Sequence, residues 1–269
     1  MQNIHNHLDF EKVNREFKET REDEFIDCAW TKFIPIHKDV SIGKFKSNDE
    51  KDKLEGKCPI CEQKLDEKGN RESGASIDHF RPKRNTANSI LPKDAYSFLE
   101  CEESNYILMC KGCNDEYKKS EFPLDSDFVA TNVDELSQEK PLLINIREED
   151  PIEYFEIVFT EKYLPLPILE LSIKKELSED SYKFRKAKKT IEFFGLGKCH
   201  ELEPKKHQKG LCKAFDNRVF TLALHYDALF ELAKAIDEER DFEALLNDNP
   251  KLMEYGFFRF LIEGQFRIE

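Results

Sequence analysis

The sequence predicts an α+β protein built around a four-cysteine metal site. Two short stretches, 76–80 and 155–159, place apolar and aromatic residues between turn signals, as strands do. Further along the chain, apolar residues recur at helical spacing: Tyr182, Phe184, Ala187, Ile191 and Phe194. The cysteines form two Cys-x-x-Cys pairs: Cys58 with Cys61, and Cys110 with Cys113. We therefore expect a core that is held together by a metal ion on the four cysteines and is embedded in a mostly helical protein.

Composition and net charge limit the class of protein. The 269 residues carry a net charge of −13, which argues against a protein that coats nucleic acid through its bulk charge. Residues 76–93 are an exception, because they hold four bases and one acid, a local balance of +3. No apolar run approaches the roughly 18 residues of a membrane span, and the N-terminus lacks the basic and apolar regions of a signal peptide. We expect a cytoplasmic protein with no membrane partner.

Four segments are expected along the chain. Residues 1–50 form an N-terminal helical or irregular segment, and residues 51–125 hold the core with the cysteines. Residues 126–175 contribute short strands and connections, and residues 176–269 form a C-terminal helical region. The last segment includes a Phe-rich stretch, which is expected either in the core or at a docking surface: Tyr255, Phe257, Phe258, Phe260, Leu261 and Phe266.

Several elements are predicted within these segments. A strand is expected at 76–80, and a helix at 113–121, directly after the second cysteine pair. Two further strands are expected at 142–144 and 155–159. Residues 161–169 contain two prolines and are expected to form a connection.

The two cysteine pairs suit a structural zinc ion. An intracellular chain rarely keeps disulfides, whereas Zn²⁺ is held tetrahedrally by four thiolates at about 2.3 Å. Binding would close the 48-residue loop between Cys61 and Cys110 and hold the two ends of this segment together. The alternatives are four unrelated cysteines or a redox Cys-x-x-Cys, which needs only one pair. A second zinc candidate has irregular spacing: Cys199, His200, His207 and Cys212.

An Asp-His dipeptide, Asp78-His79, lies between the cysteine pairs, and Asn114 directly follows the last cysteine. A carboxylate and an amide oxygen are hard ligands suited to Mg²⁺ or Mn²⁺, and a neutral imidazole can take a proton from water. Two protein oxygens leave most of the metal's coordination shell to water and phosphate oxygens. The combination indicates metal-assisted phosphodiester hydrolysis. Read alone, an Asp-His dipeptide is more often a surface or capping pair.

Taken together, these motifs resemble the HNH (ββα-metal) endonucleases in the form that carries a four-cysteine zinc site. The residues that carry the resemblance are Cys58-x2-Cys61, Asp78-His79-x2-Pro82, Asn105-Tyr106 and Cys110-x2-Cys113-Asn114. The sequence is more similar still to HNH proteins of the Septu anti-phage system and of retron-associated operons, through residues 78–83, 122–124, 141–145, 150–151 and 185–196. The similarity covers residues 55–220 approximately.

The resemblance implies a ββα-metal HNH core in residues 51–125 and a role for each matching residue. His79 would be the general base, and Asn105 would hydrogen-bond the hairpin loop and hold His79 in place. Asp78 and Asn114 would bind one catalytic Mg²⁺ or Mn²⁺. Lys118 departs from the family pattern, because it follows Asn114 by four residues where the family's lysine is usually closer. Four basic residues would bind nucleic acid or, alternatively, belong to a solvated loop: Arg81, Lys83, Arg84 and Lys118.

The resemblance also implies a substrate and a partner. The substrate would be DNA or else RNA such as tRNA, and the partner would be an ABC- or SMC-like ATPase encoded alongside. The chain has no Walker motif, which agrees with a separate ATPase subunit. The sequence thus favours a metal-dependent HNH endonuclease that is the effector of an anti-phage defence complex. The alternatives are a catalytically inactive, zinc-stabilised scaffold or nucleic-acid-binding subunit and a zinc-ribbon transcription factor, for which the acidic chain lacks a basic recognition helix.

Overall fold

The structure is a computed structural model that describes residues 58, 60–61, 75–83, 91–100, 102–160, 168–196, 226–238, 243–248, 260–261 and 263–268. The chain divides into two compact units, Asn3–Glu148 and Glu149–Glu269, with Met1–Gln2 grouped in the second. This boundary falls inside 126–175, which is predicted as one segment. The described residues combine helices and strands, so the predicted α+β class is confirmed. No described helix is long and apolar enough to cross a membrane.

A two-stranded antiparallel ribbon lies in the first unit. Strand β1 (Ala75–His79) pairs with β2 (Tyr106–Cys110), and the register sets Ala75 opposite Cys110 and His79 opposite Tyr106. At about 3.4 Å per residue, the two ends of the ribbon lie about 14 Å apart. One end therefore carries a cysteine of the predicted zinc site, and the other end carries the predicted catalytic histidine.

A π-helix, Gly112–Lys118, follows β2 almost directly. The hydrogen bond that closes it runs from Lys119 N to the Asn114 carbonyl, five residues back, at 2.7 Å. A turn closed by such bonds holds one residue more than an α-helical turn, and π-turns are frequent at functional sites. Lys119 ends the helix with a positive φ of 50°. The helix predicted at 113–121 is therefore present, but it is wider and shorter than expected.

Short 3-10 turns and an aromatic cluster belong to the rest of the described first unit. The turns are Ser97–Leu99, Glu103–Asn105 and Val133–Gln138. In the cluster, the edge-on ring of Phe122 lies 5.1 Å from Phe80 and 5.5 Å from Tyr96, measured between ring centroids. All three rings are buried, and edge-to-face contacts of this kind stabilise a core beyond the burial of their area.

The second unit contains a three-stranded sheet in the order β4-β3-β5. Strand β3 (Phe155–Thr160) pairs antiparallel with β4 (Ile168–Ile173) and parallel with β5 (Phe266–Ile268). The five side chains of β3 that the structure describes are all buried, which is typical of a central strand covered on both faces. Its charged member, Glu156, forms an ion pair with Arg267 of β5.

Three helices belong to the second unit: α1 (Tyr182–Phe194), α2 (Tyr226–Asp237) and α3 (Glu243–Asp248). Helix α1 begins after Ser181, whose side chain accepts a hydrogen bond from a backbone N–H of the first turn. It ends at Gly195, which has a left-handed conformation with φ of 58°. The amphipathic helix predicted from the spacing of its apolar residues is confirmed.

Three element predictions differ from the structure. Residues 142–144, predicted as a strand, are irregular, and the last two are buried, so their apolar run reflects burial without pairing. Strand β4 begins at Ile168, inside the stretch predicted as a connection. The region predicted as helical at the C-terminus ends in β5. Phe260 and Leu261 of its Phe-rich stretch are buried, which favours the core alternative for those two residues.

Candidate active site and metal centre

The four predicted metal-binding cysteines come together in one buried cluster. The sulfur atoms of its members all lie within 4.8 Å of one another: Cys58, Cys61, Cys110 and Cys113. Cys61 Sγ lies 3.7 Å from Cys110 Sγ, and Cys58 Sγ lies 3.8 Å from Cys113 Sγ. A disulfide is about 2.05 Å long, whereas two sulfurs on one tetrahedral zinc at about 2.3 Å are about 3.8 Å apart. The cluster therefore has the spacing of a site that can hold a metal such as zinc.

Hydrogen bonds within the cluster control its charge. The backbone N–H groups of Cys110 and Cys113 donate to Cys58 Sγ and Cys110 Sγ, each at 3.3 Å. Burial raises the pKa of Cys58, but hydrogen bonds with the other three thiols outweigh it and hold that pKa well below its usual range. Hydrogen bonds with Cys110 and Cys58 raise the pKa of Cys113 well above its usual range. Thiol protons must leave when a metal binds, so zinc affinity should rise with pH.

The cysteines join three segments of the chain. Cys58 and Cys61 precede β1, Cys110 is the last residue of β2, and Cys113 lies in the π-helix. A metal held by all four would fix the start of the π-helix to the ribbon. The other end of the π-helix reaches back to the end of β1, because its last residue, Lys118, forms an ion pair with Asp78.

Asp78 and His79 are the last two residues of β1, and their side chains take different partners. Successive residues of a strand face opposite sides of a ribbon. The Asp78 carboxylate meets the π-helix, where its Oδ2 atom lies 2.7 Å from Lys118 Nζ. The His79 ring meets the chain that precedes β2, where its Nε2 atom lies 2.8 Å from the Glu100 carbonyl oxygen.

The His79 imidazole is buried, and contacts with the Glu100 carbonyl and the Tyr106 ring orient it. A carbonyl oxygen can only accept, so Nε2 donates to Glu100 and the lone pair of the neutral ring is on Nδ1. The Tyr106 ring packs edge-on at a centroid distance of 5.1 Å. Burial lowers the pKa of His79; the Glu100 carbonyl and Asp78 oppose this shift, whereas two nearby lysines add to it. The ring is therefore neutral at about pH 7, and the neutral ring is the form that accepts a proton.

Asn105 ties the chain after His79 to the start of β2. Its Oδ1 atom accepts from Arg81 N at 2.8 Å, and its Nδ2 atom donates to the Arg81 carbonyl at 2.9 Å. Its own carbonyl accepts from Phe80 N at 2.6 Å. Both ends of the amide are used, so the loop directly after the histidine is held in one conformation. These are the loop contacts expected for Asn105, and its place in catalysis stays a prediction.

Asn114 is half-buried on the π-helix, directly after the last cysteine of the cluster. It lies less than one turn from Lys118, the residue that contacts Asp78. Carboxylate and amide oxygens are hard donors, so the chemistry of Asp78 and Asn114 fits Mg²⁺ or Mn²⁺. Their assignment as ligands of one ion stays a prediction.

Comparisons of the chain with protein families, with curated proteins and with solved structures give no match. Its function is therefore inferred from the motifs of the sequence and the geometry of this site. The site consists of a buried, oriented imidazole, a carboxylate beside it in the sequence and a four-cysteine cluster at the other end of the ribbon.

Three of the four residues predicted to bind nucleic acid are described, and they differ in exposure. The Lys83 side chain is 39% exposed, although its Nζ atom lies 3.0 Å from a Glu100 carboxylate oxygen. The side chains of Arg81 and Lys118 are 13% and 1% exposed. Their charges are matched inside the protein, so this geometry does not favour the phosphate contacts expected of them. Arg84 lies outside the described residues, as does the second zinc candidate at 199–212.

Glu139 is a buried carboxylate that no pattern in the sequence distinguishes. Its Oε2 atom accepts from Arg81 Nε at 2.7 Å. Its Oε1 atom accepts from the Tyr96 hydroxyl at 2.7 Å and from Ala130 N at 2.9 Å. It stands in a run of acidic and polar residues, so its sequence context is that of an exposed residue. The contact between His79 and the Glu100 carbonyl could not be predicted from the sequence either, because every residue has a backbone carbonyl.

Proposed function

We propose that the chain is a metal-dependent endonuclease of the HNH type, which hydrolyses phosphodiester bonds in DNA or, alternatively, in RNA such as tRNA. The observation that carries this proposal is the His79 imidazole, which is buried at the end of β1 and oriented by the Glu100 carbonyl. Further support comes from the order of strand, strand and helix in β1, β2 and the π-helix, with the cysteine cluster at their base. This is the order of elements that a ββα-metal core requires.

Each residue of the site has a distinct task in this proposal. His79 would take a proton from the attacking water at Nδ1, while its Nε2–H stays bonded to the Glu100 carbonyl and fixes the ring. Asp78 and Asn114 would hold the Mg²⁺ or Mn²⁺, which when bound supplies positive charge at the scissile phosphate. Lys83 would contact backbone phosphates, which gives a salt-dependent affinity without sequence preference.

The proposed nuclease would act in a complex. Its resemblance to HNH proteins of the Septu and retron-associated systems supports a role as the effector of an anti-phage defence complex. The partner would be an ABC- or SMC-like ATPase, and the lack of a Walker motif in this chain supports a separate source of ATP hydrolysis.

A catalytically inactive, zinc-stabilised scaffold or nucleic-acid-binding subunit is the second candidate. One observation favours it: the Asp78 carboxylate is paired with the Lys118 ammonium at 2.7 Å. A fixed internal cation beside the carboxylate repels a second cation and lowers the affinity of this position for a metal.

A cleavage assay distinguishes the two candidates. The full-length chain, alone and with an ABC- or SMC-like ATPase encoded beside it, is incubated with plasmid DNA or total tRNA and Mg²⁺ or Mn²⁺. His79→Ala and Asp78→Asn are compared with Asp115→Asn, which neutralises an exposed carboxylate of the same π-helix. We expect metal-dependent cutting by the wild type and by Asp115→Asn, and a loss on the order of a hundredfold or more in His79→Ala.

Zinc content and melting temperature are measured for every variant, so that loss of the fold is not mistaken for loss of catalysis. Equal cutting by the wild type and His79→Ala would contradict the assignment of the general base. No cutting by any combination, with zinc bound and the fold intact, would favour the scaffold.

A further inference from the structure

Lys118 and Asp78 form a buried ion pair. The Lys118 side chain is 1% exposed, and its Nζ atom lies 2.7 Å from Asp78 Oδ2. Both atoms are out of contact with solvent, and neither makes an aligned hydrogen bond to any described group. Each charge is therefore compensated by the other, and removal of one would leave the other buried and unpaired.

The two oxygens of the Asp78 carboxylate have different surroundings. Oδ2 is enclosed with Lys118, yet the Asp78 side chain as a whole is 19% exposed. The exposed part therefore belongs to the rest of the side chain, whose only other polar atom is Oδ1. Lys118 thus holds the carboxylate from inside the protein, and Oδ1 is the oxygen left for a ligand from outside.

In the part of the chain that the structure describes, the two ion pairs of this site are each neutral. Asp78 and Lys118 sum to zero, as do Lys83 and its partner Glu100, and the Asn114 amide is neutral. The affinity of an oxygen site for a divalent cation rises with the number of negative ligands, and Mg²⁺ sites with few carboxylates use substrate phosphates as ligands. A phosphodiester would supply the negative charge that the protein side lacks.

We propose that Lys118 presents Asp78 as a one-oxygen ligand and cancels its charge, so that the divalent ion binds firmly only together with a nucleic-acid phosphate. This inference rests on the proposed nuclease function and deepens it. Lys118 is then a positioning residue that makes metal loading depend on substrate. Because linkage is reciprocal, the ion must increase the affinity for nucleic acid by the same factor.

Binding of Mn²⁺, followed by electron paramagnetic resonance, tests this inference without relying on activity. The zinc-loaded, full-length His79→Ala protein is titrated with Mn²⁺ in the presence and absence of a short DNA duplex, or of tRNA in a parallel series. We expect the nucleic acid to tighten Mn²⁺ binding on the order of tenfold. Asp78→Asn in the same background should abolish this response.

Lys118→Gln tests the charge of the lysine, because glutamine is uncharged and keeps an N–H donor. In the His79→Ala background it should tighten Mn²⁺ binding without nucleic acid on the order of tenfold and reduce the effect of the duplex. Lys119→Gln removes the same charge from an exposed neighbour and should leave Mn²⁺ binding unchanged.

Unchanged Mn²⁺ affinity in a folded Lys118→Gln protein would overturn the inference. If that variant does not fold, the His79→Ala protein provides the test. Mn²⁺ binding to it that is equally tight with and without nucleic acid also overturns the inference. The nuclease function is judged separately, by cutting in the protein with His79 intact. Absent cutting alongside the expected Mn²⁺ behaviour would refute the nuclease function and leave the role of Lys118 standing.

Discussion

The partner of each charged side chain decides what that side chain can do at this site. Lys83 and Glu100 are both more than a third exposed, so Lys83 can exchange its carboxylate for a phosphate at little cost. Arg81 and Lys118 differ, because turning either one outward would leave a carboxylate oxygen buried and unpaired. Breaking a buried pair in this way costs about 3–5 kcal/mol. Arg81 and Lys118 therefore stabilise the structure of the site and are not available to bind phosphate at its surface.

The lowered pKa of His79 predicts how cleavage depends on pH. Burial keeps the ring neutral below its usual pKa of about 6.5, so His79 as the proposed general base can still accept a proton there. We expect a cleavage rate that is level near neutral pH and falls only below about 6.5, as the ring takes up a proton. Initial rates from about pH 5 to about pH 8 at a fixed Mg²⁺ concentration measure this. An acid midpoint above about 6.5 would contradict the assignment.

The same shift gives His79 an effect on stability, with a defined sign. The folded pKa lies below the unfolded pKa, so the unfolded chain binds the proton first as the pH falls. The contribution of His79 is therefore complete above about 6.5 and is lost as the pH falls toward the folded pKa. His79→Gln serves as the control, because its melting temperature should fall less than that of the wild type over the same pH range.

The residues of the site differ in how far the sequence could predict them. The two cysteine pairs have a fixed spacing that metal binding requires, and the structure brings all four together. The burial of Lys118 could not be predicted, because its partner, Asp78, lies 40 positions earlier, and a sequence displays charges but not their pairing. For the same reason, the sequence does not show that Glu139 is the carboxylate that pairs with Arg81.

The ribbon and the π-helix connect the cysteine cluster at one end to the proposed catalytic pair, Asp78 and His79, at the other. Cys110 and Cys113 set where the π-helix begins, and Lys118 ends it opposite Asp78. Under the HNH proposal, the wide turn accounts for the unusual spacing of Asn114 and Lys118. A turn closed by bonds five residues long takes up one extra residue and keeps both side chains within the same turn.

Glu139 connects elements that have no regular pairing, and its removal should therefore weaken the first unit. Glu139→Gln leaves the Arg81 guanidinium without its counter-charge, and we expect the free energy of unfolding to fall by roughly 3 kcal/mol. Urea unfolding of the zinc-loaded protein measures the change. The control is Glu121→Gln, an exposed glutamate of the same unit, which should unfold like the wild type. Equal, small losses in both variants would show that the Glu139 contacts do not stabilise the unit.

Periodicity predicted the elements whose side chains repeat regularly, and it was misleading where they do not. Helix α1 and strand β3 follow their apolar spacing. Residues 142–144 are equally apolar, but burial in an irregular segment selects the same residues as a strand does. The helix at 113–121 was predicted, but its π form has no sequence signal, because its extra residue depends on the cysteines at one end and Lys118 at the other. Long-range contacts determine the irregular conformation of 142–144 and the π form of the helix, and local sequence patterns do not contain them.

The two units of the molecule differ in what can hold them together. The first unit contains all four cysteines of the cluster, and its described regular structure is a two-stranded ribbon and one π-helix with short turns. A two-stranded ribbon alone is only marginally stable in water. The second unit has a three-stranded sheet whose central strand is buried, together with helices α1, α2 and α3. A metal at the cysteine cluster would therefore matter far more to the first unit than to the second.

Loss of the metal should consequently unfold one unit and spare the other. Structural zinc contributes on the order of 10 kcal/mol in small zinc domains, which is comparable to the entire stability of a typical domain. We expect Cys58→Ser, or removal of zinc by a chelator, to abolish the first unit's melting transition in calorimetry. The helical circular dichroism of the second unit should persist. Cys28→Ser, which changes a cysteine outside the four, should keep zinc and both transitions. A zinc-free wild type with an unchanged melting profile would mean that packing, and not the metal, holds the ribbon and the π-helix together.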